Sequence, residues 1–256
     1  MAPTVQQSKN AKAKQLAGGK APKARVHRYL KSTESKLVEG AKSTLLLKGI
    51  RCSQAMATVL KDLRAMQAPH VKLLTKKNAI VPFDAQGQAS LEFLTTKNDC
   101  SMFVLASHNK KRPNNLILGR TFNHSILDMM ELGVLYFKSM SDYGGTVPKK
   151  RIGSKPLLLF SGNVWTQDAT MSKLQNLLID FYRGDPVDKL VASGVDHVIV
   201  FSAAADTPHT KPVVHQRTYF VKLKKNPNGT RTPLPHLTPC GPDLDLQVRR
   251  TQFADK

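Results

Sequence analysis

Cysteine is scarce and unpatterned in this chain. The three thiols, Cys52, Cys100 and Cys240, lie far apart, are odd in number and form no C-x-x-C pair. That excludes a disulfide framework or a zinc ribbon and suits a reducing compartment. Acid is also in short supply, with 18 Asp and Glu against 39 Lys and Arg, a formal charge of +21. Aromatic residues make up 6% with one Trp, too few for a reader that stacks successive bases. No two glycines stand three apart, which removes the G-x-x-G loop of KH domains, and no K/R-G-F-G-F stretch marks an RNA-recognition motif. No apolar run approaches the ~18 residues of a membrane span. The opening MAPTVQQSKNAKAK has no apolar stretch behind its charges, so no secretory signal is expected.

Catalytic motifs are equally sparse. Neither G-x-S-x-G nor H-E-x-x-H occurs, and Gly18-Gly19-Lys20 lacks the strand and the Ser/Thr of a phosphate loop. His209 and His215 straddle Pro212 and make a poor metal pair. Asp128 and Glu131, one helical turn apart, read as the solvated face of a capped helix. Asp243 and Asp245 share a strand face and read as solvated or paired with the nearby Arg249 and Arg250. Cys100 reads as a buried structural thiol. No cofactor, no metal and no enzymatic activity are expected.

What is present is a core and a great deal of positive charge. Hydrophobic residues make up 41%, enough for a folded domain. Residues 1–27 form a basic tail without apolar periodicity, and a short basic helix is expected over 26–38. Leu45–Gly49 reads as a buried strand. A helix follows, capped by Ser53, with Met56, Val59, Leu60 and Leu63 on one face and Pro69 as its stop. Strands are expected at Met102–Ala106, Asn115–Gly119 and Val134–Phe137, with short helices from Ser90 and over Ser125–Leu132, the latter closed by Gly133. The second half repeats the order: strand Leu157–Gly162, a helix carrying Met171, Leu174, Leu177, Leu178 and Phe181, then strands at Val198–Ser202, Gln216–Lys222 and Leu244–Arg249. Leu45–Gly49 parallels Leu157–Gly162, and Phe103–Ser107 parallels Val198–Ser202, so the fold class is α/β with an internal duplication and mixed sheets.

The basic residues are clustered at strand ends and loops: Lys76 and Lys77; Lys110, Lys111 and Arg112; Lys149, Lys150 and Arg151; Lys222 and Lys224; Arg249 and Arg250. Together with Asn114 and Arg120 these fourteen are the candidate RNA contacts. Phosphate and shape contacts to a structured RNA suit this composition better than base stacking. The loop Lys110–Arg112, stiffened by Pro113, is expected to be exposed and free of structural duty.

The stretch Ser107 to Arg120 reads Ser-His-Asn-Lys-Lys-Arg-Pro-Asn-Asn-Leu-Ile-Leu-Gly-Arg. It resembles the Brix-domain family, in particular its branch in eukaryotic large-subunit assembly. Phe122–Gly133, Lys36–Gly40 and Phe93–Asp99 resemble the same branch. Gly241–Arg250 resembles the closing motif of Brix domains at large. The resemblance implies a Brix domain over 28–251, with an N-terminal half over 28–140, a connector over 141–155, a C-terminal half over 156–251 and a remnant at 252–256. Each half would resemble an anticodon-binding domain, behind a disordered basic N-terminal tail. It further implies a non-catalytic, RNA-binding factor of the nucleus and nucleolus that supports pre-rRNA maturation. Such a factor pairs as a heterodimer with the regulator of ribosome synthesis protein. The pair brings 5S rRNA and the two ribosomal proteins of the 5S ribonucleoprotein into pre-60S particles. A constituent basic protein of the large subunit is the alternative.

Overall fold

A computed structural model describes residues 23–34, 37, 40–144, 150–204, 211–227 and 231–254. Most of the tail expected over 1–27, and also Lys149 and His209, lie outside the described residues. The chain divides into two units, residues 1–39 and 40–256. The first unit contains helix α1, Ala24–Thr33, where the short basic helix was expected, with Val26 and Leu30 exposed on its surface.

The second unit is built on one ten-stranded sheet. In chain order its elements are β1 (Thr44–Gly49), α2 (Gln54–Gln67), β2 (Val71–Asn78), α3 (Ala85–Lys97), β3 (Met102–Asn109), β4 (Arg112–Phe122) and β5 (Ser125–Lys138). A one-turn helix at Met140–Tyr143 follows. The second half comprises β6 (Leu157–Ser161), α4 (Val164–Gln167), α5 (Ala169–Tyr182), β7 (His197–Ala204), β8 (Val213–Lys224), β9 (Leu234–Pro239) and β10 (Asp243–Gln252). The strand order is β2-β1-β3-β4-β5-β10-β8-β7-β6, with β9 on the far part of β8.

The duplication is visible in that order. β1 pairs parallel with β3, which pairs antiparallel with β4 and then β5. β6 pairs parallel with β7, which pairs antiparallel with β8 and then β10. The two innermost strands, β5 and β10, pair antiparallel from Asp243↔Lys138 to Gln252↔Met129 and fuse both halves into one sheet. The first half has one insertion, β2 and α3, between its long helix and β3.

Alternation along the strands sorts the core. Leu46, Val104, Leu118, Met130, Phe201 and Leu246 face α2 and α5 in a core that runs through both halves. Ser53 caps α2 by accepting from the Met56 amide, and Asp168 caps α5 from Thr170. The other face of the first half, with Leu45, Phe103, Leu105, Ile117 and Met129, packs on α3 through Leu91. In the second half the corresponding face carries no helix among the described residues, and Leu157 and Leu159 are exposed there.

Two expectations are corrected. Ser125–Leu132 is strand, not helix. Its Leu, Met and Glu are helix formers at helical spacing, but it is buried on both faces, which places apolar side chains at both parities. Asn123 and His124, at φ 47° and 67°, supply the two left-handed positions of a tight hairpin turn from β4. Gly133 accordingly lies within β5 and ends no helix. The other helix begins at Ala85, ahead of Ser90.

Gly119 lies where the Phe103 ring crosses β4, and a Cβ there would stand 2.4 Å from that ring. Phe103 is fully buried and cannot retreat. Gly119→Ala is expected to cost about 1–3 kcal/mol by overpacking, read as a lower urea midpoint with an unchanged m-value. An unchanged midpoint would show that the ring relaxes freely.

Candidate nucleic-acid interface

Strand register sorts the candidate cations by place. β1, β2 and β3 run in one direction, so Lys76 and Lys77 at the end of β2 lie at the same end of the sheet as the Lys110–Lys111 turn between β3 and β4. β8 runs toward that end too, because it is antiparallel to β10 and β10 is antiparallel to β5. Lys222 and Lys224 therefore close the same end on the other half. Arg151 joins them there, beside Asp196 at the start of β7. Lys76, Lys77, Lys110, Lys111, Lys222 and Lys224 are all exposed, and none has an acidic partner among the described residues. Lys150 is half-buried, and burial pushes its ammonium pKa down, partly opposed by Asp196.

The arginines behave differently. Arg112 donates to both oxygens of Glu131, at 2.9 and 2.6 Å, and Glu131 is fully buried. Arg250 donates its Nε to the same carboxylate and lies over the Phe83 ring, 4.1 Å from its centre. Arg249 donates to Asn115 at 3.0 Å. Arg120 chelates Asp128 and reaches Asp180 at 2.6 Å and Asn176 at 2.8 Å, joining β4 of the first half to α5 of the second. The loop expected to be wholly free is therefore split: Lys110 and Lys111 are free at the turn, while Arg112 turns back into the sheet. Asn114 is structural as well. At φ 43° it makes the bulge in β4, gives its N–H to His108 Nδ1 at 3.1 Å and accepts from Ser53 Oγ at 3.1 Å.

The acids read as solvated are the partners of these arginines. Asp128 and Glu131 are buried, each aimed at guanidinium groups on opposite faces of β5. Asp245 pairs with Arg217 at 2.7 Å and His215 at 2.8 Å, not with Arg249 or Arg250. Asp243 accepts from the Tyr143 hydroxyl. Cys100 is buried, and desolvation pushes its thiol pKa up to about 11, as befits an inert structural thiol. Among the described residues no cluster of three or more His, Cys, Asp or Glu is placed to hold a metal, and no helix is long and apolar enough to cross a membrane.

Burial pushes the Asp180 carboxyl up, but Lys42 and Arg120 outweigh it and hold the group below the ordinary carboxylate range. A depressed carboxyl stabilises the fold above its unfolded pKa of about 4 and loses that contribution as pH falls through the folded value. Arg120→Ala should cost about 3 kcal/mol at neutral pH by stranding Asp128 and Asp180. It should also flatten the fall in stability below pH ~4, because Asp180 then titrates nearer its unfolded value. Urea unfolding between pH 7 and 2 measures both effects, and an acid slope equal to wild type would contradict the assignment.

The Brix domain family matches residues 49–250. A protein of Schizosaccharomyces pombe called ribosome production factor 2 homolog is 44% identical over 239 residues, covering 91% of this chain and 72% of its own length. The human protein of the same name is 40% identical, covering 90% and 71%, and that of Arabidopsis thaliana is 36% identical, covering 88% and 70%. A crystal structure of a probable ribosomal biogenesis protein from Aeropyrum pernix K1 has the same fold. It superposes with a TM-score of 0.51 at 12% identity, over 84% of this chain and 100% of that one. The duplicated halves, the Lys-Lys-Arg-Pro-Asn-Asn turn and the Arg-Arg strand β10 thus lie within a matched region spanning most of the chain, and the chain belongs to the Brix-domain family, beside the ribosome production factor 2 homologs.

Proposed function

We propose that this chain is a non-catalytic assembly factor of the large ribosomal subunit that holds ribosomal RNA along the lysine-bearing end of its sheet. A part in ribosome biogenesis follows from the family and from the names its relatives carry. The observation that carries the RNA reading is the set of exposed lysines at one end of the sheet, contributed by both halves. Lysines without acidic partners are available to phosphates, and their side chains have no packing to lose. The RNA we assign is pre-rRNA and 5S rRNA, the latter arriving with its two ribosomal proteins, and the place of action is the nucleolus.

The exposed sheet face suits the partner implied by the resemblance. α3 covers this face in the first half; in the second, Leu157, Leu159 and Tyr136 stay exposed, and β6 is an edge strand. The regulator of ribosome synthesis protein is the proposed cover, packed on β6, β7 and β8.

Two experiments test these assignments. Affinity for a structured RNA is expected to fall by ~10³–10⁵ between roughly 50 and 200 mM salt if about six to ten phosphates are neutralised. Lys110→Ala with Lys111→Ala should weaken binding and reduce the salt slope while leaving the melting temperature nearly unchanged. A flat salt response would sink the RNA reading. For the partner, amide hydrogen exchange of the chain alone and in the coexpressed heterodimer should show new protection in β6–β8. Equal protection there would leave contact through tails as the better account.

A further inference from the structure

Arg249 and Arg250 are fixed on the sheet at several atoms yet remain open to solvent. Gly133 makes room for Arg249: a Cβ there would stand 2.3 Å from its Nε, so the guanidinium lies flat on the β5 backbone and reaches Asn115. Arg250 is held by the buried carboxylate of Glu131 through Nε and by the Phe83 ring, while its side chain stays 43% exposed. Its terminal nitrogens have no acceptor among the described residues. Beside them a cavity of about 350 Å³ opens between β10 and the first turn of α5. That lies within the ~300–1,000 Å³ of ligand sites. Lys211 lines it and is tied to the Arg249 carbonyl at 3.4 Å. Asp168, the one acid in its wall, is occupied in accepting from the Thr170 amide at 2.7 Å.

Three cations against one engaged carboxylate leave an excess of positive charge over an open cavity. The two guanidiniums are ordered before any ligand arrives, so little side-chain entropy is lost on binding. We propose that this cavity is a phosphate pocket for the RNA backbone, in which Arg249, Arg250 and Lys211 grip the non-bridging oxygens and Glu131 acts as a positioning residue for Arg250. Arginine forks match two oxygens of one phosphate, which a lysine cannot do. The pocket rests on the RNA-binding reading above and divides the work within it: the lysine end attracts, and the arginine pocket fixes one phosphate in place.

The full chain and a short RNA hairpin serve as the test, with inorganic phosphate as a second probe. Lys211→Ala should weaken hairpin binding several-fold and lower the salt slope by about one. Arg250→Lys keeps the charge but loses the fork, and should weaken binding with the urea midpoint retained. Titrated phosphate should shift the Arg249 and Arg250 Nε–H signals in wild type. If both variants bind the hairpin as wild type does while Lys110→Ala with Lys111→Ala binds it poorly, the pocket is idle and the RNA reading stands. If wild type binds no hairpin, the RNA reading itself fails. Absence of phosphate-induced shifts, or shifts with polyglutamate and none with phosphate, overturns the pocket on its own.

Discussion

The backbone ladder between β5 and β10 is the constraint on which the rest of this unit depends. Without it there are two small half-sheets, each with one long helix and an unpaired inner strand. With it, α2 and α5 lie on the same side of one sheet and share a core, and the cations of both halves come to one end. Arg120 reinforces the join from the side chains, because its guanidinium takes one carboxylate from β5 and another from α5. The position of every candidate contact thus follows from one antiparallel register.

Arginine and lysine divide the positive charge by geometry. A planar fork can satisfy a buried carboxylate at two oxygens, and Arg112, Arg120 and Arg250 each serve a carboxylate that would otherwise be stranded in or near the core. A lysine ammonium is strongly hydrated and gains little from such a site. The lysines at Lys76, Lys77, Lys110 and Lys111 are left at the surface, where salt and polyanions compete for them.

Much of this was legible in the residues. Ser53 and Pro69 bound α2, Gly184 follows α5, and the strands at Met102 and Val198 were marked by unbroken apolar runs. The missed elements have physical reasons. β2 carries Lys72, Lys76 and Lys77 among its few apolar residues, so its parallel pairing with β1 is invisible to periodicity. β5 is written in helix-forming residues, and the tertiary ladder overrode them. Nothing local could show that Glu131 and Asp128 are buried, because their partners Arg250 and Asp180 lie 119 and 52 positions away in the chain. The clustering of cations was plain in the sequence, but which of them are engaged internally depends on those long-range pairs.

The central place of β10 has a consequence for how the molecule is made. It is the last strand in chain order, yet it sits between β5 and β8. While the polypeptide is still emerging from a translating ribosome, β5 can pair with β4 but its other edge has no neighbour, and β8 waits in the same condition. Both are long strands, and unpaired edges of this kind attract other chains. The nascent protein therefore stays sticky until almost its whole length has been synthesised, a period in which a chaperone or an early-binding partner has the most to protect.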